Sequence, residues 1–260
     1  MITAILFPLS CALFGLCGGE VCYDLTHNRN DYIVCSFRAD RISVSTRLND
    51  DSGAAFGRIG RLQQHLQQNN SPTLMIMNGG MYHSDLSPVG LYVEGSQQQK
   101  TISTKPGWGN FHLLPNGVFF VENGKSSVLE TKTYLSRKRA PDFATQSGPM
   151  LVIDGRLHHR FLKDSDSLKI RNGVGVSADQ KTLHFAISKG NVRFWDFGVL
   201  FRDQLKTPNA LFLDGTVSGI WSKNHTRTSW RSLGPMIVVV RQQPLWQRAI
   251  YAALRHFSVP

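Results

Sequence analysis

The sequence predicts an α+β protein, a single compact domain with a mostly antiparallel or mixed sheet and packed helices. Short apolar runs recur along most of the chain, divided by Gly, Asn and Asp clusters of the kind that turn strands. Helical spacing is confined to the stretches 56–69, 194–204 and 245–256. No repeat, low-complexity tract or linker divides the 260 residues, and a hydrophobic content of 41% suffices for one core.

Residues 1–19 carry no charged side chain, and the apolar stretch 2–16 is shorter than the roughly 20 residues a membrane span needs. With small residues at Gly18 and Gly19, this segment reads as a signal peptide cleaved before Glu20. The mature domain is then 20–260, without an integral membrane span, and the expected location is periplasmic or secreted. The alternative is an internal strand or an uncleaved anchor. Of the four cysteines, Cys11, Cys17, Cys22 and Cys35, only the last two survive cleavage. An oxidising compartment permits them to pair, and the alternative is two separate thiols. There is no Cys-x-x-Cys, so neither zinc nor redox chemistry is indicated.

Segments 31–37 and 41–48 alternate as strands. Segment 56–69 follows as an amphipathic helix with Ile59, Leu62 and Leu66 on one face and Gln63, Gln64, Gln67 and Gln68 on the other. Asn69-Asn70-Ser71-Pro72 stops it, and an apolar strand 74–77 runs into Asn78-Gly79-Gly80. From 91 to 130 the pattern is β, with hairpin signals at Asn116-Gly117 and Asn123-Gly124. A strand pair flanks Asp154-Gly155, and 174–176 pairs with 183–188 about a turn at 178–181. Segment 194–204 is read as a helix with Phe197, Leu200 and Phe201 inward. The apolar run 210–213 then delivers Asp214 into a turn flanked by Gly215 and Gly219. A buried strand at 236–240 and a helix at 245–256 complete the chain.

Lys and Arg number 29 against 18 Asp and Glu, a formal net charge of +11, so the surface attracts polyanions. Zinc-knuckle spacing, an aromatic RNA-binding signature and a P-loop are all missing, so nucleic acid is not the favoured partner.

Several stretches, in order, resemble the phosphodiester glycosidase family. They are MNGGMY (77–82), SPVGLYVEG (87–95), GNFHLLPNGVFF (109–120), QSGPMLVIDGRL (146–157), RNGVGV (171–176), FRDQL (201–205), NALFLDGTVSG (209–219) and LGPMIVVV (233–240). The likeness is to short bacterial members. It implies a hydrolase that cleaves the glycosidic bond of a sugar-1-phosphodiester or related cell-envelope glycan, so the expected partner is a carbohydrate or glycan phosphodiester.

Such a substrate needs a carboxylate, a cation and hydrogen-bonding amides. Asp214 is the expected catalytic carboxylate, stabilising positive charge at the anomeric carbon or activating water. Arg171 is the expected phosphate ligand, because its planar fork of donors matches phosphate oxygens. Asn78 and Asn110 would orient hydroxyls, and Gly79 and Gly80 would let the backbone lie close to the sugar. His83 and Asp85 are candidate acid/base groups. A two-carboxylate mechanism would add one of Asp85, Glu94, Glu122 or Asp203, although a phosphate leaving group lowers the need for a protonating acid. No His/Cys/Asp cluster has ligand spacing, so no metal and no cofactor is expected. The rival reading is a non-catalytic module that binds anionic envelope polysaccharide, and a third is a nuclease or cyclic phosphodiesterase.

Overall fold

The computed structural model describes residues 21–215 and 217–242, so the expected leader and the 245–256 helix lie outside the described residues. The strands run β1 (Val21–His27), β2 (Asn30–Arg38), β3 (Ile42–Arg47), β4 (Thr73–Asn78), β5 (Tyr92–Glu94) and β6 (Gln97–Lys100). They continue as β7 (Gly117–Glu122), β8 (Lys125–Glu130), β9 (Phe143–Ser147), β10 (Met150–Ile153), β11 (Arg156–Leu157) and β12 (Asn172–Val176). The last are β13 (Thr182–Ser188), β14 (Asn209–Asp214), β15 (Ile220–Ser222), β16 (Thr226–Arg227) and β17 (Met236–Arg241). Helices are short: α1 (Ile59–Gln68), α2 (Thr131–Leu135) and α3 (Phe194–Val199), the last continued by a π turn over Leu200–Gln204.

Three sheets form. The largest has the order β1-β2-β13-β12-β14-β10-β11, and the two five-stranded sheets are β16-β15-β4-β17-β3 and β6-β5-β9-β7-β8. Strand pairing is antiparallel throughout. With 42% strand against 15% helix, the protein is more sheet-rich than the balanced α+β class expected from sequence.

The sheets enclose one core, and each carries a helix on its outer face. Along β14, Leu211 and Leu213 point into the shared core, while Ala210 and Phe212 meet α3 and the π turn. Along β4 and β17, Met75, Met77, Ile237 and Val239 face the core, whereas Ile76, Met236 and Val238 meet Ile59, Leu62 and Leu66 of α1. This period-2 sorting onto two buried faces explains why these strands read as unbroken apolar runs. Burying each aliphatic side chain of α1 contributes about 1.5–3 kcal/mol, so a charged residue at fully buried Leu62 would detach the helix.

Local chemistry sets the boundaries. Gly57 takes a left-handed φ of 64°, so α1 starts at Ile59 rather than at Phe56. Its end is closed by Asn69, whose Nδ2 donates to the His65 carbonyl at 2.9 Å. In the helix expected at 194–204, the Leu205 N–H reaches back to the Leu200 carbonyl at 3.0 Å, and the last turn opens into a π turn.

Asn123 and Gly124, at φ 52° and 71°, make the hairpin between β7 and β8 as expected. Asn116-Gly117 makes none. The buried Asn116 side chain donates to the Phe111 carbonyl and accepts from Thr131, and a Cβ on Gly117 would lie 2.3 Å from the Met150 sulfur. Packing, rather than a turn, selects that glycine. Cys22 and Cys35 face each other across β1 and β2 and are joined as a disulfide.

Candidate functional site

The exits of β4 and β14 meet where the three sheets converge, and buried amides join them. Asn172, at the start of β12, accepts the Asp214 N–H through Oδ1 at 2.8 Å and donates through Nδ2 to Asn78 Oδ1, also at 2.8 Å. Asn78 Oδ1 also accepts the Gly219 N–H at 2.9 Å. One Asn–Asn pair therefore fixes both flanks of the 214–219 turn against the sheet that contains β4.

The third sheet is tied in by Ser147 Oγ, which donates to the Leu213 carbonyl at 2.7 Å, and by Thr145 Oγ1, which accepts the Gly80 N–H at 3.1 Å. A Cβ at Gly80 would stand 2.4 Å from the Gln146 carbonyl oxygen, so only glycine fits there. Gly79 donates its N–H to the Pro235 carbonyl at 2.7 Å. These bonds are buried, so losing any one partner strands the other at a cost of about 1–3 kcal/mol.

Above this floor opens a cleft of about 740 Å³. Its polar lining includes Tyr82, His83, Asn110, His112, Asp214 and Arg231, and its apolar wall includes Met81, Leu86, Val89, Trp108, Phe111 and Val217. Asp214 Oδ1 accepts the Gly215 N–H at 2.6 Å. Although part of the residue reaches solvent, protein crowds the carboxyl, and desolvation pushes its pKa up to about 6 against the pull of the Gly215 N–H.

The Tyr82 phenol is raised well above its usual range, first by burial and then by the Asp214 charge, while Arg231 opposes the rise. Both charges thus act on one phenol. The Tyr82 hydroxyl donates to the Ser232 carbonyl at 3.0 Å, which anchors the loop carrying Arg231. Arg231 itself stacks on the Trp230 ring at 4.4 Å and has no carboxylate partner among the described residues.

Of the residues expected from sequence, Asp214, His83 and Asn110 line this cleft. Asn78, Gly79 and Gly80 lie beneath it and bond to the framework rather than opening onto the cavity. Asp85 sits on the neighbouring loop with its carboxylate turned back onto Ser87, accepting the backbone N–H at 3.0 Å and the hydroxyl at 2.7 Å. Those bonds hold its pKa below the ordinary value.

Arg171 is only 1% exposed and does not line the cleft. Its Nε donates to the Val192 carbonyl at 2.9 Å, one terminal nitrogen donates to the Ser167 carbonyl at 2.8 Å, and the guanidinium lies 3.5 Å over the Phe194 ring. Burial lowers its pKa to about 10.

Sequence reasoning did not single out Asn172, Tyr82 or Arg231. The first two stand inside the RNGVGV and MNGGMY stretches, so a signal was present. Arg231 follows a polar loop with no periodicity, and only the tertiary fold brings it to Asp214. Among the described residues no cluster of three or more His, Cys, Asp or Glu side chains could hold a metal ion.

The family model described as phosphodiester glycosidase matches residues 71–240, the span that contains every one of these cleft residues. The chain belongs to the phosphodiester glycosidase family. A relative from Escherichia coli strain K12, described as uncharacterized protein YigE, is 34% identical over 172 residues. That match covers 66% of this chain and 66% of the relative, so the chain spans just under two thirds of that protein's length.

Among solved structures, one similar to this chain is the zebrafish N-acetylglucosamine-1-phosphodiester alpha-N-acetylglucosaminidase catalytic domain, auto-inhibited by its pro-peptide. It aligns with a TM-score of 0.59 at 13% identity, covering 86% of this chain and 82% of that one. A putative exported protein from Burkholderia pseudomallei K96243 aligns with a TM-score of 0.54 at 9% identity, covering 81% and 74%. At such identities the likeness is one of fold.

Proposed function

We propose that this protein is an exported hydrolase that cleaves the glycosidic bond of a sugar-1-phosphodiester or a related cell-envelope glycan. One observation carries the reading: a desolvated carboxyl, Asp214, lining a cleft that also holds an arginine with no acidic partner among the described residues, Arg231. Membership of the phosphodiester glycosidase family supports the same chemistry. The Cys22–Cys35 disulfide supports export, since such bonds persist in oxidising compartments.

In this mechanism Asp214 acts as the carboxylate. It stabilises positive charge developing on the anomeric carbon or takes a proton from the attacking water, and its poor solvation strengthens either interaction. Arg231 meets the phosphate oxygens. Because a phosphodiester is already a good leaving group, no strong acid is required on that side. His83 and Asn110, both on the cleft wall, serve the sugar hydroxyls or the incoming water. Arg171 acts one layer back, holding the strand that presents Asn172.

Turnover of a chromogenic sugar-1-phosphodiester, set beside the matching neutral glycoside, tests the proposal. Hydrolysis of the charged substrate that is lost in Asp214→Asn supports it. Binding of the charged substrate with no turnover under any condition would leave the polysaccharide-binding module as the better reading.

A further inference from the structure

A second concave site lies at the far side of the large sheet, where β1 and β2 meet the β15–β16 hairpin. It encloses about 370 Å³ and is lined by Asp24, Lys189, Asn224, His225, Thr226 and Arg227, with Ile33. Lysine and arginine are donors only, and the asparagine amide and threonine hydroxyl add further donors. Arg227 holds the wall together through a terminal nitrogen that donates to the Lys189 carbonyl at 3.4 Å. Its Nε is buried with no partner among the described residues, as is Nδ1 of His225, a donor when that ring is charged. A concave site whose lining is mostly donors calls for an acceptor-rich ligand.

The acid in this lining, Asp24, stands at the mouth with 59% of its side chain exposed. It accepts Lys189 Nζ at 2.8 Å and faces His225 Nε2 at 3.4 Å. So exposed an ion pair contributes little, and a better-placed anion displaces it at small cost. A phosphate group suits the remainder, since its tetrahedral oxygens can accept from Arg227, Lys189 and His225 at once, and it carries more charge than a single carboxylate.

We propose that this pocket is a second anion site that binds a phosphate group through Arg227, Lys189 and His225, with Asp24 as the resident competitor. The site lies in line with the cleft. Asp214 pairs with Asn172, Asn172 with Ile187, Ile187 with Ile33 and Ile33 with Asp24. Four strand spacings of about 4.8 Å put it about 19 Å from the cleft carboxylate. A phosphodiester polymer longer than that would reach both sites. This extension rests on the function proposed for the cleft, whereas the anion site itself does not.

Calorimetric titration with inorganic phosphate tests it, using the full chain in an Arg231→Ala background so that the cleft cation is removed. Phosphate should still bind. Asp24→Asn should tighten binding at least threefold, and Arg227→Ala or Lys189→Ala should weaken it at least tenfold, with the melting temperature and the milder Arg227→Lys variant reporting on folding. Loss of all binding in the Arg231→Ala background would overturn the proposal. So would binding indifferent to Arg227, or weakened by Asp24→Asn.

A glycerol phosphate tetramer identifies the source of the phosphate. More than tenfold tighter binding than phosphate, lost with Arg227, assigns the site to a polymer, and equal affinity assigns it to the free ion. Neither result depends on turnover in the cleft.

Discussion

Replacing Asp214 by asparagine should stabilise the protein at neutral pH while removing its activity. Folding raises the Asp214 pKa from 3.8 to about 6 by desolvation, which outweighs the Gly215 N–H. A rise of about 2 units at ~1.36 kcal/mol per unit makes the ionised carboxylate a liability of about 3 kcal/mol in the folded state. The sign follows from proton uptake. Between the two pKa values the native protein holds a proton that the unfolded chain has released, so stability falls as pH rises from about 4 to 6 and is level above that.

Asparagine has no charge to desolvate and keeps an oxygen to accept the Gly215 N–H, so the variant escapes this penalty. Urea unfolding at pH 7 should show Asp214→Asn more stable by up to about 3 kcal/mol, with the difference shrinking toward zero at pH 4. A difference that is absent at pH 7, or that does not change with pH, would refute the assignment of a desolvated carboxyl to this cleft.

Other substitutions probe the surroundings. Asn172→Ala strands the Asp214 N–H, and it should cost about 1–3 kcal/mol of stability and lower kcat more than it changes KM, read by steady-state kinetics beside thermal melts. Arg231→Ala should raise KM for a charged phosphodiester about fivefold, the ~1 kcal/mol of a solvent-exposed charge contact, and leave the neutral glycoside unchanged. Arg171→Lys loses the fork that spans the Val192 and Ser167 carbonyls, and about 2 kcal/mol should go with it. For a chain of this size that is a fall in melting temperature of about 4–8 °C, and KM for charged and neutral substrates should shift equally if at all.

Much of the β framework was legible because the strands are buried on both faces. The runs at 74–77 and 210–213 could hardly be anything else, and Asn123-Gly124 and Asp154-Gly155 advertised their turns. β9 was not visible, since polar Thr145, Gln146 and Ser147 give it no apolar run. They are buried polar groups whose bonds to Gly80, Leu91, Ser103 and Leu213 join segments distant in sequence. β1 escaped notice because polar Asp24, Thr26 and His27 interrupt an edge strand that need not be apolar on both faces.

At the site, Asp214, His83 and Asn110 could be found because glycine turns present them. The cation could not be chosen from sequence. Arg171 sits in a motif but is fixed under Phe194, and Arg231 lines the cleft from a loop that Tyr82 anchors.

The most direct test of the central claim is kcat/KM for a chromogenic sugar-1-phosphodiester between pH 4 and 8. With Asp214 acting as the carboxylate, the rate should climb about tenfold per pH unit up to about 6 and then level off, and Asp214→Asn should abolish it across the whole range. Wild-type turnover in Asp214→Asn, or a rate that is flat through pH 6, would move the chemistry away from this residue.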